Sequence, residues 1–299
     1  MAPTYVNDRD RVTFPPDPNP KVPKLVAPPG SWDTHFHVYG PPHIFPYVEK
    51  RAYTPPAAPV EHYLLLNSAL GLERGVIVQP AVHGTDTRVT VDAVAKSDGR
   101  LRGMIRVDPE LTPARVKELH GQGIRALRFP VAREHGNAFD PTLFHKTVAA
   151  METKSWIVDM QINDDVIHEN ADMIRKVPLP VVIDTWGRVD PTKGFDQPSL
   201  LTILDLLSES NVYLKIHGAN RYLDRGVPYE KLVELARLLI ARAPDKILWG
   251  TDWPHSFVFE PRKMPNDGEL LDMLLDFAPD EADRRKILVD NPKALFDFD

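Results

Sequence analysis

Two histidines one residue apart, His35 and His37, and an aspartate more than two hundred positions later, Asp252, are the residues of this chain best suited to chemistry. Imidazoles and a carboxylate together can move protons, hold a developing oxyanion or ligate a divalent metal. The pair lies in Trp32-Asp33-Thr34-His35-Phe36-His37, and the aspartate in Ile247-Leu248-Trp249-Gly250-Thr251-Asp252-Trp253-Pro254-His255. Each string is a short strand-like segment carrying polar residues at its end. Alternation along a strand sends residues i and i+2 to one face, so both imidazoles point the same way.

For these groups to meet, the two strings must be neighbours in space. Eight strand-like runs divide the chain after residue 30: Trp32–Val38, Gly75–Gln79, Leu101–Val107, Ile124–Phe129, Trp156–Ile162, Pro180–Asp184, Val212–His217 and Ile247–Asp252. Near-continuous apolar strands suit a parallel sheet buried on both faces. Helical patterns fill the gaps at Glu61–Leu70, Thr87–Ser97, Pro113–His120, Pro141–Met151, Asp165–Arg175, Pro198–Ser208 and Pro228–Arg242, and Asp280–Leu288 follows the last strand. Several open with proline in the first turn or with an Asp or Thr cap. The predicted fold is therefore α/β, a single (β/α)8 TIM barrel over 31–299. In such a barrel the first and last strands are neighbours, and strand ends share one mouth. A doubly wound open sheet is the rival, but no glycine-rich phosphate loop follows the first strand.

Composition narrows the function classes. The net charge of −6 argues against nucleic-acid binding. The chain has no cysteine, which excludes disulfides, thiolate nucleophiles and cysteine-ligated zinc. No apolar run is long enough to span a membrane, and no signal pattern opens the chain, so the expected setting is cytoplasmic. Of 30 prolines, eight fall within residues 1–30. That stretch reads as an extended proline-rich arm, packed on the body or on a neighbouring subunit of a homo-oligomer, or as a loose tail.

The strings Asp33-Thr34-His35-Phe36-His37, Val76-Ile77-Val78-Gln79, His83-Gly84-Thr85-Asp86, Arg125-Ala126-Leu127-Arg128-Phe129, Val182-Ile183-Asp184, Gly187-Arg188-Val189-Asp190 and Trp249-Gly250-Thr251-Asp252-Trp253-Pro254-His255 carry a resemblance. In order and spacing the chain resembles the amidohydrolase superfamily, and within it the 2-pyrone-4,6-dicarboxylate lactonase group. The resemblance implies a hydrolase that opens a lactone of a carboxylate-bearing small molecule. Asp252 would be the general base toward water, or the acid that later protonates the leaving oxygen. His35 and His37 would polarise the lactone carbonyl or hold a metal that does so. Tyr53 falls where the group has a substrate-facing tyrosine, with a buried loop anchor as the alternative. His83 is retained beside the second strand. Arg128, Arg133, Arg188 and Arg221 match or nearly match positions that bind substrate carboxylates, with solvated surface arginines as the alternative. Planar guanidinium groups grip carboxylates in bidentate fashion.

The chain also departs from that pattern. Ile183-Asp184-Thr185 stands where the group has Ile-Asp-His, so an imidazole is missing. In Lys215-Ile216-His217, His217 shares a face with Lys215 and could supply it from the next strand. Asp159, Met160 and Gln161 replace an expected strand-five tyrosine, and Ala81 a small hydroxyl residue. These changes put the pyrone substrate itself in question. The reading favours a centre without metal; a zinc or manganese ion, if held, would sit on His35, His37, His217 and Asp252. Two alternatives stay open: a metal-dependent amidohydrolase or decarboxylase on the same barrel, and a barrel that binds carboxylates without turnover.

Overall fold

The computed structural model describes residues 8–131 and 140–297. Eight parallel strands follow one another in sequence order around one sheet. They are β1 (Trp32–Phe36), β2 (Arg74–Val78), β3 (Leu101–Arg106), β4 (Ile124–Pro130), β5 (Ile157–Gln161), β6 (Val181–Ile183), β7 (Val212–His217) and β8 (Ile247–Gly250). Helices α1 (Val60–Ala69), α2 (Arg88–Ala95), α3 (Pro113–Gly121), α4 (Pro141–Glu152), α5 (Asp164–Arg175), α6 (Pro198–Leu206), α7 (Ala219–Leu223) and α8 (Tyr229–Arg242) fill the crossovers. Caps read in the sequence are present. The Thr112 hydroxyl accepts the Arg115 N–H, and Asp140 accepts those of Thr142 and Leu143, each with proline at the first helical position.

Several strands are shorter than the apolar runs suggest. β1 stops before His37, β6 before Asp184 and β8 before Asp252. The polar residues at these ends lie past the ladder; His37 and Asp252 line the mouth, and Asp184 is buried beneath it. The predicted C-terminal helix at Asp280–Leu288 is instead a short helix at Glu281–Arg285, a wide turn at Lys286–Asp290 and a further helix at Asn291–Phe296. That last helix plugs the floor, where Phe296 stacks on Trp32 at 6.3 Å and joins Val76, Val78, Met104, Ala126, Ile157, Val182 and Leu248 in the barrel interior. Among residues 8–30, Lys21 N–H donates to Asn266, and Lys24 and Leu25 N–H groups donate to Asp272, so this stretch lies along the body of its own chain.

The β1–β8 seam closes the barrel. Asp252 N–H donates to the His35 carbonyl at 2.8 Å, His37 N–H to Trp253 at 2.7 Å, and the Thr34 hydroxyl to Trp249 at 2.8 Å. Asp33 lies behind the seam and accepts from His35 N–H, Thr251 N–H, the Thr251 hydroxyl and the Tyr63 hydroxyl at 2.6–3.1 Å. Asp33 and Phe36 both meet Tyr63 of α1, although they lie three residues apart. A break in strand register between them allows this and turns His35 inward. Asp33→Ala leaves four donors without their acceptor. It is expected to lower the unfolding free energy by about 3 kcal/mol or more in urea titration, whereas a loss under about 1 kcal/mol would contradict the role.

Candidate active site

A cavity of about 790 Å³ opens at the carboxyl ends of the strands. Its lining includes His35, His37, Tyr53, Arg128, Thr185, Arg188, His217, Arg221 and Asp252, with Lys50 and Arg106. Of the residues singled out in the sequence, these histidines, Tyr53, three arginines and Asp252 are brought together. His83 is not among the lining residues. It is buried beside Tyr47 and Tyr39, with ring centroids at 5.1 and 6.5 Å. Burial pushes its imidazole down to about 4, so it is a neutral packing group. Arg133 lies outside the described residues. His255 turns away from the mouth to bond Asp267 at 3.0 Å.

Backbone geometry delivers the central groups. Asp252 takes φ +67°, a conformation that aspartate tolerates better than most residues, and this directs its carboxylate across the mouth. Gly250 precedes it because a Cβ there would stand 2.6 Å from His35 Cβ. The His35 and His217 rings stack at 3.7 Å, so the imidazole of β7 lies flat against that of β1.

Hydrogen bonds orient each ring. His37 Nδ1 lies 2.7 Å from the Val78 carbonyl, which can only accept, so Nδ1 carries the proton and Nε2 is bare. His217 Nε2 lies 2.9 Å from Asp184 Oδ1, and His35 Nδ1 lies 3.3 Å from the same oxygen. Their opposite nitrogens then carry lone pairs. Those three bare nitrogens, His35 Nε2, His37 Nε2 and His217 Nδ1, stand 3.7, 3.6 and 3.7 Å from Asp252 Oδ1. Both His35 ring nitrogens, His217 Nδ1 and Asp252 Oδ1 are buried with no hydrogen-bond partner among the described residues.

Charge states follow from burial and neighbours. Burial would raise the Asp252 carboxyl, but its neighbours, Arg221 foremost, together outweigh it and hold the group well below the usual carboxylate range. Arg221 donates to Asp252 Oδ2 through Nε at 2.8 Å and through Nη2, leaving Oδ1 without a hydrogen bond among the described residues. Burial, then the adjacent His217, hold His35 well below its usual value, and burial lowers His37 despite Asp252. His35 and His37 are thereby kept neutral, each with Nε2 toward Asp252 Oδ1. A tetrahedral site with metal–ligand bonds near 2.1 Å separates its ligands by about 3.4 Å. The 3.6–3.7 Å separations from Asp252 Oδ1 are of that order; His35, His37 and Asp252 cluster closely enough for the zinc or manganese ion that the sequence left as an alternative, and His217 clusters with His35 and Asp184.

Beneath this centre lies a buried charge network that the sequence reading did not assign to the site. Arg128 donates to Asp184 through Nη2 and lies 3.3 Å from Asp159, and Lys215 Nζ donates to Asp159 at 2.9 Å. Burial would raise Asp184, but Arg128, then His35 and His217, keep it ionised as the acceptor for both rings. Arg128 and Arg221 therefore both spend donors inside the protein. Arg188 donates to Asn163 at 2.8 Å from the opposite wall. Arg106 was legible as a strand-end residue of β3, whereas Lys50 sits in a loop with no periodic signal.

Comparison with known proteins agrees with this architecture. A family model described as amidohydrolase matches residues 32–298. A 4-sulfomuconolactone hydrolase of Hydrogenophaga intermedia is 46% identical over 91% of this chain and 90% of its own. A 2-pyrone-4,6-dicarboxylate hydrolase of Comamonas testosteroni is 33% identical over 93% of each chain. A crystal structure of an Agrobacterium tumefaciens protein in its apo form superposes with TM-score 0.79 at 27% identity, over 93% of this chain and 99% of that one.

Proposed function

The chain belongs to the amidohydrolase family, and from that premise we propose that it hydrolyses a lactone ring in a small anionic substrate. The observation that carries the proposal is the Asp252 carboxylate at the cavity floor: Arg221 holds Oδ2, and nitrogens of His35, His37 and His217 stand 3.6–3.7 Å from Oδ1, which has no hydrogen-bond partner among the described residues. Relatives named for hydrolysis of 4-sulfomuconolactone and of 2-pyrone-4,6-dicarboxylate support the substrate class.

In this mechanism Asp252 Oδ1 accepts a proton from water as the water oxygen bonds to the lactone carbonyl carbon. The acyl carbon–ring oxygen bond then breaks. The same carboxyl returns the proton to the departing oxygen, leaving a ring-opened acid. Arg221 keeps Asp252 ionised and oriented throughout. Asp184 holds His217 and His35 in the tautomers that face Asp252. His35, His37, His217 and Asp252 would hold a divalent metal, which when bound supplies Lewis-acid polarisation of the carbonyl or of water. Tyr53 closes one wall, its hydroxyl bonded to that of Tyr39 at 2.9 Å.

Anion recognition falls to the lining cations. Among the described residues, Lys50, Arg106, Arg128, Arg188 and Arg221 line the cavity together with two carboxylates, Asp140 and Asp252. Arg188, Arg106 and Lys50 join Arg221 and Arg128 in supplying positive charge to a bound anion. Lys50→Glu is expected to raise KM for a dianionic lactone about three- to tenfold with kcat changed less, and to weaken the salt dependence of kcat/KM. A fall in kcat at constant KM would remove Lys50 from recognition. The proposal itself is tested by presenting carboxylated and sulfonated lactones and following acid release in a pH-stat. One equivalent of acid per ring lost supports hydrolysis. Carbon dioxide release without ring opening would make the chain a decarboxylase instead.

A further inference from the structure

Four consecutive residues after β6 have left-handed backbones: Thr185 at φ +51°, Trp186 at +57°, Gly187 at +57° and Arg188 at +54°. Left-handed turns cost L-residues energy at each position, and a β-branched residue such as Thr185 is the least suited of all. Such strain persists only where the surroundings impose it. Here Trp186 imposes it. Its ring is buried, packs edge-on against Phe277 and Tyr222, and donates its indole N–H to the His217 carbonyl at 2.9 Å. Gly187 fits because a Cβ would stand 2.4 Å from Ile203. Bonds from Gly187 N–H to Asp184 and from Val189 N–H to Trp186 give the turn three residues per repeat. Positions i and i+3 then share a face, and Thr185 and Arg188 are the two that line the cavity.

The Thr185 hydroxyl is 3.0 Å from His217 Nε2. That nitrogen also faces the Asp184 carboxylate at 2.9 Å and so carries the proton. The hydroxyl oxygen therefore accepts, and its own proton has no acceptor among the described residues. His217 presents its other nitrogen to Asp252, so Thr185 lies across the imidazole ring from the reacting oxygen. A donor so placed meets a substituent of the substrate ring rather than the carbonyl under attack.

We propose that Thr185 is a specificity-determining residue: its hydroxyl donates a hydrogen bond to an anionic substituent on the substrate ring, and the left-handed turn is the strained mount that holds it there. This rests on the lactone reading for the substrate but not for the binding step. Isophthalate and benzoate, inert rings with two and one carboxylates, therefore serve as probes, with affinities measured by calorimetry on wild type, T185V, T185S and T185G. Loss of one hydrogen bond to a charged group predicts that T185V narrows the preference for isophthalate over benzoate about tenfold or more, with T185S restoring most of it. T185G, which relieves the strained φ, should lose the same preference yet melt above T185V. An unchanged preference in T185V, or T185G melting below T185V, overturns the proposal. Wild type that opens no lactone but shows these ligand preferences would overturn the proposed reaction and leave the role of Thr185 standing.

Discussion

Asp252→Asn is expected to lower kcat/KM for lactone opening about a thousandfold or more, within the range by which a positioned acid–base group accelerates a reaction. The amide keeps the size of the carboxylate but cannot take a proton from water or return one to the ring oxygen. It also removes the charge that Arg221 holds in place, so the guanidinium loses its anionic partner at the mouth. Substrate binding should survive better than turnover, because the lining cations remain. Steady-state kinetics with circular dichroism as a fold control reads the effect. A variant within tenfold of wild type would mean that water is activated elsewhere.

Removing bound metal is expected to produce the other large loss. Nitrogens of His35, His37 and His217 stand 3.6–3.7 Å from Asp252 Oδ1, burial lowers His35 and His37, and a divalent cation would offset the crowding of donor atoms there. Dialysis against a chelator should therefore lower activity about a hundredfold or more and lower Tm as well, since a ligand bound only to the native state stabilises it. Zinc or manganese at about one equivalent per chain should restore both. His37→Ala should reduce the metal retained after gel filtration, by elemental analysis. Full activity in a chain carrying less than about a tenth of an equivalent of metal would remove the ion from the account.

The barrel was readable because its signals are local. Apolar runs of strand length alternate with capped amphipathic segments, and those patterns survive in a single sequence. Strand ends were read too long at His37, Asp184 and Asp252, because polarity at a barrel mouth continues the alternation after the ladder has stopped. His35, His37, His217 and Asp252 were brought together by the topology that strand order implies. Their ring orientations were not legible, since these depend on Asp184 and the Val78 carbonyl, partners distant in sequence. The arginines show the same limit. A guanidinium at a strand end reads as a carboxylate clamp, yet whether Asp252, Asp184 or a substrate fills it is decided across the barrel. The left-handed turn at Thr185–Arg188 had no signal beyond one glycine, because Trp186 and Thr185 do not announce a positive φ.

The most direct measurement is ring opening of an anionic lactone in water enriched in oxygen-18, with the product analysed by mass spectrometry. Attack by water on the carbonyl carbon predicts one labelled oxygen per turnover, located in the newly formed carboxylate, and no labelled product above background with Asp252→Asn. Label in the oxygen that departs from the ring, or conversion with no label, would contradict hydrolysis at the Asp252 centre.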